Sequence, residues 1–285
     1  MKTLLRAVTR PLRHRKSGRR AYRWFLRSWQ PAGDLQASRG VVDTMRLQRQ
    51  LVPVVSTGPD ADRIVVVAPH PDDELIGPGG TILRAATRGA AVRVLYLTSG
   101  KADEAAVRRA EAEAVCARFG FEARFCDHAS HAIPFEAAIE AVASEVRQFR
   151  PGALFLPFLL DDHEDHRRAS EIVATMIDRV GPASQPEIWA YQVYSVVPGN
   201  VVVDITDLAE RKADAISLYR SQMAGRDWAH YALGLNAFNS RFMPSKGRRC
   251  YGEMFFVVPA DEYADLCRPY FQDRKAYSAR AYRTG

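Results

Sequence analysis

Long apolar runs are missing from this sequence. No stretch approaches the roughly 18 apolar residues that a membrane-spanning helix needs, so none is expected. Cysteine is scarce: four in 285 residues do not make a disulfide scaffold. A secretory signal is not expected either, because residues 1–27 lack a continuous apolar core followed by a small-residue cleavage site. Nothing therefore points to an oxidising compartment. Asp and Glu are absent from those 27 residues, which hold ten Lys and Arg. Beyond them acids outnumber bases by three, so the net charge of +7 belongs to the leader. A nucleic-acid reading drawn from overall charge is thereby excluded. There is no internal repeat, no low-complexity tract and no GxxxxGK phosphate loop.

What is present is ordinary globular composition, 47% apolar and 26% charged. Residues 1–30 read as a basic leader, helical or flexible, in which Tyr22, Trp24, Phe25, Leu26 and Trp29 are mixed with arginine. Such a segment suits packing on the body or a second subunit, contact with an anionic membrane surface, or contact with phosphate-rich glycans or nucleic acid. Its composition also leaves a transit peptide open. Residues 31–60 read as a linker with one short helix near 41–50. A regular pattern then begins. Strands are expected at 64–68, 92–97, 123–126 and 153–158, alternating with helices at 79–88, 104–119, 135–149 and from Asp165 to about Val180. Further strands are expected at 188–193, 201–204 and 255–258, with a helix at 208–223. The alternation predicts an α/β fold: a Rossmann-like, mostly parallel sheet with helices on both faces, in a single domain. Its expected span is 61–260, with 261–285 as a C-terminal tail.

Two clusters carry the chemistry. His70-Pro71-Asp72-Asp73-Glu74 follows the first buried strand directly, and Gly77, Gly79 and Gly80 follow it. Asp161-Asp162-His163-Glu164-Asp165-His166-Arg167 comes just after the strand at 153–158. In open α/β sheets ligands bind at the carboxyl ends of strands, so both clusters are expected on one rim. Carboxylates with neutral imidazoles suit a cation such as zinc. Three protein ligands and one open position make the catalytic arrangement. Asp-rich turns also cap helices, but two such clusters at two strand ends are hard to explain as caps.

The segment from His70 to Glu74, with Gly77, Gly79, Gly80 and Thr81, closely resembles the opening motif of the PIG-L/LmbE-like zinc de-N-acetylases. That family includes deacetylases of GlcNAc-phosphatidylinositol and of the mycothiol and bacillithiol precursors. Asp162 to Arg167 resembles its second motif. Tyr96 to Gly100, the Arg-Arg-Ala-Glu run at 108–111, Tyr219 to Gln222 and Gly252 to Phe256 are similar to further family segments, so the likeness covers about 62–258. It implies His70, Asp73 and His166 as ligands to one Zn2+ per chain. It implies Asp72 as general base, His163 as the imidazole that stabilises the oxyanion or assists the leaving amine, and Asp165 as the group orienting and charge-tuning that imidazole. Some relatives place a mobile Tyr where Asp161 stands, and Tyr191, Tyr194 and Tyr231 are the candidates to replace it.

Arg108, with its fixed fork of donors, is a candidate substrate contact. Asn239 and Arg241 belong to a basic stretch, 236–249, that reads either as a loop for an anionic glycan or as a solvated loop. His128 and His131 read as loop residues, and Cys116 and Cys126 as core thiols. The expected activity is metal-dependent hydrolysis of an N-acetyl amide on a hexosamine-containing substrate, nucleotide-, lipid- or polymer-linked. It releases acetate and a free amine, in the cytoplasm or at the inner membrane face. Two alternatives stand beside it: a zinc amidase for a non-sugar amide, and an inactive glycan-binding or assembly protein.

Overall fold

Strand β2 (Arg63–Ala68) is the centre around which the rest is laid. Every residue after Arg63 is buried. Ile64, Val66 and Ala68 join the apolar cluster on one face of the sheet, Val65 and Val67 the cluster on the other. A strand buried on both faces reads as a continuous β-branched run, which is what the sequence shows. Each such side chain contributes roughly 1.5–3 kcal/mol on burial.

The computed structural model describes residues 52–181 and 186–272. The leader and the short helix expected near 41–50 lie outside them. Seven further strands complete the sheet: β1 (Val54–Ser56), β3 (Ala91–Thr98), β4 (Glu122–His128), β5 (Ala153–Pro157), β6 (Glu187–Tyr191), β7 (Val201–Asp204) and β8 (Gly252–Val258). Their order is β1-β7-β8-β6-β5-β2-β3-β4. All neighbours pair in parallel except at β8, which runs against both β6 and β7. The helices are α1 (Asp73–Ile76), α2 (Gly79–Thr87), α3 (Ala105–Phe119), α4 (Phe135–Phe149), α5 (Glu164–Val180), α6 (Ala209–Ile216), α7 (Arg220–Met223), α8 (Trp228–Asn239) and α9 (Ala260–Gln272). The α/β, mostly parallel architecture agrees with the expectation.

Three differences matter. β1 falls inside the expected linker and pairs with β7. The helix expected over 208–223 is broken at Ser217–Tyr219, where Tyr219 is almost fully buried and its backbone leaves the helical region. α9 occupies the first half of the expected tail and buries Tyr263, Cys267 and Phe271 in the core.

β2 has β3 on one side and β5 on the other. The chain leaves β2 in one direction and later returns on the opposite side, so a crevice opens at the carboxyl ends of β2 and β5. Both acidic clusters enter it.

Candidate active site

The loop after β2 is held in an unusual shape. Asp72 has φ 119°, in the left-handed half of conformational space, where a side chain is strained. Its N–H donates to Glu74 Oε2 at 3.1 Å, and the Tyr219 hydroxyl donates to Glu74 Oε1 at 2.5 Å. Glu74 is wholly buried, and burial pushes its carboxyl up to about 8. From the other side Arg108 Nη2 donates to the Pro71 carbonyl at 2.7 Å and lies 3.4 Å from Asp72 Oδ1. Two glycines make room. Gly77 passes so close to Tyr191 that a Cβ would stand 2.3 Å from its ring. Gly100, at φ 86°, would place a Cβ 2.8 Å from Arg108 Cδ. Burial first, then the neighbouring charge of Asp73, push the Asp72 carboxyl up to about 7 against the pull of Arg108. A base poised there is half-ready at neutral pH.

His70, Asp73 and His166 converge. Asp73 Oδ2 is 3.2 Å from His70 Nδ1 and 3.2 Å from His166 Nε2. His70 Nε2 lies 2.9 Å from Asp165 Oδ2, and His166 Nδ1 lies 3.1 Å from Asp161 Oδ1. Burial alone lowers the His70 imidazole, but Asp165 and Asp73 outweigh it and raise its pKa, so the space between Nδ1 and the Asp73 oxygen suits a positive charge, a proton or a metal ion. Both ring nitrogens of His166 are buried without a hydrogen bond, although each lies near a carboxylate. Donors about 2.0–2.1 Å from a tetrahedral zinc stand roughly 3.3 Å apart, close to the distances here. The residues therefore fit a metal. Electrostatics agree: burial alone lowers the His166 imidazole, but Asp73 and Asp161 outweigh it and raise it to about 10, while His166 outweighs burial and holds Asp73 well below the usual carboxylate range. The pocket is built for a positive charge. A carboxylate stands behind each imidazole, Asp165 hydrogen-bonded to His70 and Asp161 close to His166, the arrangement found behind metal-ligating histidines.

His163 closes one side. Its donor atom lies within 4.8 Å of those of His70 and His166. Its Nδ1 accepts the backbone N–H of Asp165 at 3.1 Å, so the proton of the neutral ring sits on Nε2. Burial, then His70 and His166, push its pKa down to about 3. Asp165 faces more than one partner: its charge raises the His163 imidazole against burial, while its carboxylate engages His70 and accepts from Ser130 Oγ at 2.7 Å and from the His131 N–H at 3.0 Å. It gives His163 its backbone N–H. His131, expected as a plain loop residue, stacks its ring on His163 at 5.2 Å.

Asp161 stands where some relatives place a mobile Tyr, and the fold gives it a different role. While Oδ1 faces His166, Oδ2 is held by the N–H groups of Val193, Tyr194 and Ser195, at 3.4, 3.0 and 3.4 Å. Of the three tyrosine candidates only Tyr194 touches the cluster, its ring 5.7 Å from His163 and 5.4 Å from His166. Tyr191 is committed to the Val67 carbonyl, and Tyr231 contacts Trp228.

Of the three expected substrate contacts only Arg108 lies at the site, buried with its guanidinium against the Pro71 carbonyl and the Asp72 carboxylate. Asn239 is buried within α8, and Arg241 lies beyond the end of that helix. The remaining motif segments serve the scaffold. Glu111 accepts from Ser221 N–H and Oγ at 2.9 and 2.6 Å. Glu253 accepts from the N–H groups of Gly80 and Thr81 at 2.7 and 2.8 Å. It pairs with the fully buried Lys212 at 2.7 Å, whose ammonium also meets the carbonyls of Ile76 and Gly77.

Comparison with known proteins agrees with this geometry. Residues 65–177 match the family described as PIG-L, GlcNAc-PI de-N-acetylase. The chain is 26% identical over 226 residues to a diacetylchitobiose deacetylase of Thermococcus kodakarensis, across 70% of this chain and 84% of that protein. It is 29% identical over 166 residues to a 1D-myo-inositol 2-acetamido-2-deoxy-alpha-D-glucopyranoside deacetylase of Rhodococcus erythropolis, across 45% and 56%. The solved N,N'-diacetylchitobiose deacetylase from Pyrococcus horikoshii superposes with a TM-score of 0.59 at 29% identity, covering 72% of this chain and 86% of that one. By sequence match and by fold, residues 65–177 are homologous to the PIG-L/LmbE-like deacetylase family.

Proposed function

We propose that this protein is a zinc-dependent N-deacetylase. It hydrolyses an N-acetyl amide on a hexosamine-containing substrate and releases acetate and a free amine. The observation that carries the reading is Asp73 Oδ2 standing 3.2 Å from both His70 Nδ1 and His166 Nε2, with the donors of His70, His163 and His166 grouped within 4.8 Å and Asp72 beside them in the chain. The family homology and the N-acetylated sugars named for the similar deacetylases support it. His70, Asp73 and His166 hold one zinc ion per chain in this proposal. The ion supplies Lewis acidity and lowers the pKa of water at its open position.

The chain's own groups do the rest. Asp72, kept partly basic by burial, takes a proton from the attacking water. Arg108 and Glu74 fix the loop that aims it. Neutral His163 donates from Nε2 to the amide oxygen as negative charge develops there, a preorganised contact of the oxyanion-hole type. Asp72 then returns its proton to the departing nitrogen. Tyr194, half-exposed over His163, is the group best placed to meet the substrate at the mouth.

The catalytic unit includes β1 and α9 in this reading, and so reaches past the expected span of 61–260 on both sides. No helix among the described residues is long and apolar enough to cross a membrane. We place the enzyme in the cytoplasm, with the cationic residues 1–29 available to an anionic membrane face. Sedimentation of the full chain with anionic and with neutral vesicles tests that placement.

The deciding experiment measures amine release from free, nucleotide-linked, lipid-linked and oligomeric N-acetylhexosamines. Zinc-loaded wild type is expected to release amine from at least one of them, and Asp72→Asn to lose roughly 10²- to 10⁴-fold in kcat while keeping its zinc. Equal turnover by the variant would sink the assigned base. Amine from non-sugar amides alone would move the substrate class, and zinc bound without turnover on any of them would leave a binding protein.

A further inference from the structure

Helix α8 is exposed along one face yet carries no Asp, Glu, Lys or Arg. Ala229, Ala232, Asn236 and Asn239 turn inward. Trp228, Tyr231, Leu235 and Phe238 form a stripe at helical spacing along the flank of that buried face, and Tyr231 and Phe238 are each more than half exposed. A surface helix normally meets water with charge, so an aromatic outer stripe marks a contact surface. The stripe starts at the active site: Trp228 meets Tyr194 edge-to-face at 5.6 Å, and Tyr194 lies on His163. From Trp228 to Phe238 the stripe runs roughly 15 Å at 1.5 Å per residue.

It ends at a cationic cavity. An open hollow of about 570 Å³ is lined by Ser240, Arg241, Ser245, Arg248, Arg249 and Tyr251, among others. No Asp or Glu occurs between Asp227 and Glu253. None of the three arginines has a carboxylate partner among the described residues. Arg241 is held between two rings, 3.8 Å from the centroid of Phe238 and 4.1 Å from that of Phe242, with its Nη1 donating to the Phe238 carbonyl at 2.9 Å. The cavity stays on the active-site rim because β8 is reversed, which brings its Gly252 end beside the carboxyl ends of β6 and β7. Three strand spacings separate β8 from β2, roughly 14 Å.

From this we infer that the substrate is an extended acidic oligosaccharide: sugar rings stack along the Trp228–Phe238 stripe, and a phosphate group distant from the reacting acetamide is bound by Arg241, Arg248 and Arg249. The inference rests on the deacetylase reading for the position of that acetamide. Aromatic faces take the apolar faces of pyranose rings, and guanidinium forks match phosphate oxygens. Charge complementarity selects this occupant over the chain's own ends, since residues 1–51 and 273–285 are both net basic.

The test compares zinc-loaded full-length enzyme on three probes: a tetrasaccharide of N-acetylglucosamine, the same tetrasaccharide with a terminal phosphate, and N-acetylglucosamine 1-phosphate. Wild type is expected to prefer the phosphorylated tetrasaccharide to the neutral one by about tenfold or more in kcat/KM, expressed in KM and weakened by salt. The monosaccharide phosphate gains no such advantage, its charge lying too near the amide to reach the cavity. The combined Arg241→Gln, Arg248→Gln and Arg249→Gln variant turns the two tetrasaccharides over alike. Arg241→Lys, which keeps the charge without the fork, retains part of the preference. Wild type treating both tetrasaccharides alike, or the triple variant keeping the preference, overturns the inference and leaves the deacetylase reading standing. A stable dimer that Phe238→Ala dissolves also overturns it, in favour of a second copy on the stripe. If no acetamido sugar releases amine, the deacetylase reading is what fails. Calorimetry with inorganic pyrophosphate then still reads the cavity: tighter binding to wild type than to the triple variant supports it, and equal binding overturns it.

Discussion

At the residue scale, the chemistry depends on how two acids are held apart in role. Asp73 shares an oxygen between two imidazoles, while Asp72, its neighbour, is turned away through a strained backbone and kept partly protonated by burial. Glu74 is the hinge between them. It accepts the Asp72 N–H and the Tyr219 hydroxyl inside the core, with its carboxyl raised to about 8. An acid whose folded pKa is raised binds more protons folded than unfolded between the two values. Its contribution to stability therefore falls as pH rises from about 4.5 to about 8. Glu74→Gln removes that titration and keeps the shape. Melting curves at pH 5.5 and 8.0 are expected to show the variant gaining on wild type at the higher pH, and a constant difference between the two proteins would contradict the assignment. For the metal, His166→Ala is expected to lose zinc on dialysis, read by elemental analysis, while Asp72→Asn keeps it.

At the element scale, a buried ion pair welds the short helices that follow the catalytic loop. Lys212 on α6 meets the carbonyls ending α1, and Glu253 on β8 meets the N–H groups opening α2. Neither charge is exposed. Leaving one of them unpaired in the core costs about 3–5 kcal/mol. Lys212→Met and Glu253→Gln are each expected to destabilise on that scale in urea titrations. The double variant is expected to cost less than the two together, because the pair acts as one unit. Additive losses would show that each acts only through its backbone contacts.

The strands and helices of the first half were legible because their signals are local: β-branched runs, helical spacing and stopping glycines. The two ligand clusters were legible for the same reason, each lying within seven consecutive residues. Other elements were hidden by physics that does not reside in their own segments. β1 is three half-exposed residues that become a strand only against β7. α8 lacks amphipathic periodicity because two of its four buried positions are asparagines while Tyr231 and Phe238 are exposed. The work of Asp161 depends on amide groups some thirty residues later in the chain, and the additional contact of Asp165 with His70 depends on the β4–α4 loop arriving beside it.

At the scale of the whole molecule, metal and fold are coupled. Zinc bound by the folded state alone stabilises it by mass action. Chelation is expected to abolish amine release and to lower the melting temperature of wild type, and to leave that of His166→Ala almost unmoved. A fall of equal size in both would place the ion elsewhere. The reversed direction of β8 has a consequence for how this protein is divided. Every side chain proposed to hold the ion or move a proton lies in the first two thirds of the chain, between His70 and His166. The aromatic stripe and the arginine cavity come from one uninterrupted later passage, 228–251, carried to the same rim because the strand after it points backward. In the proposed arrangement reactivity and reach are thus written in separate stretches of sequence, joined where Asn236 of the later passage accepts from the buried Lys212 beneath the catalytic loop.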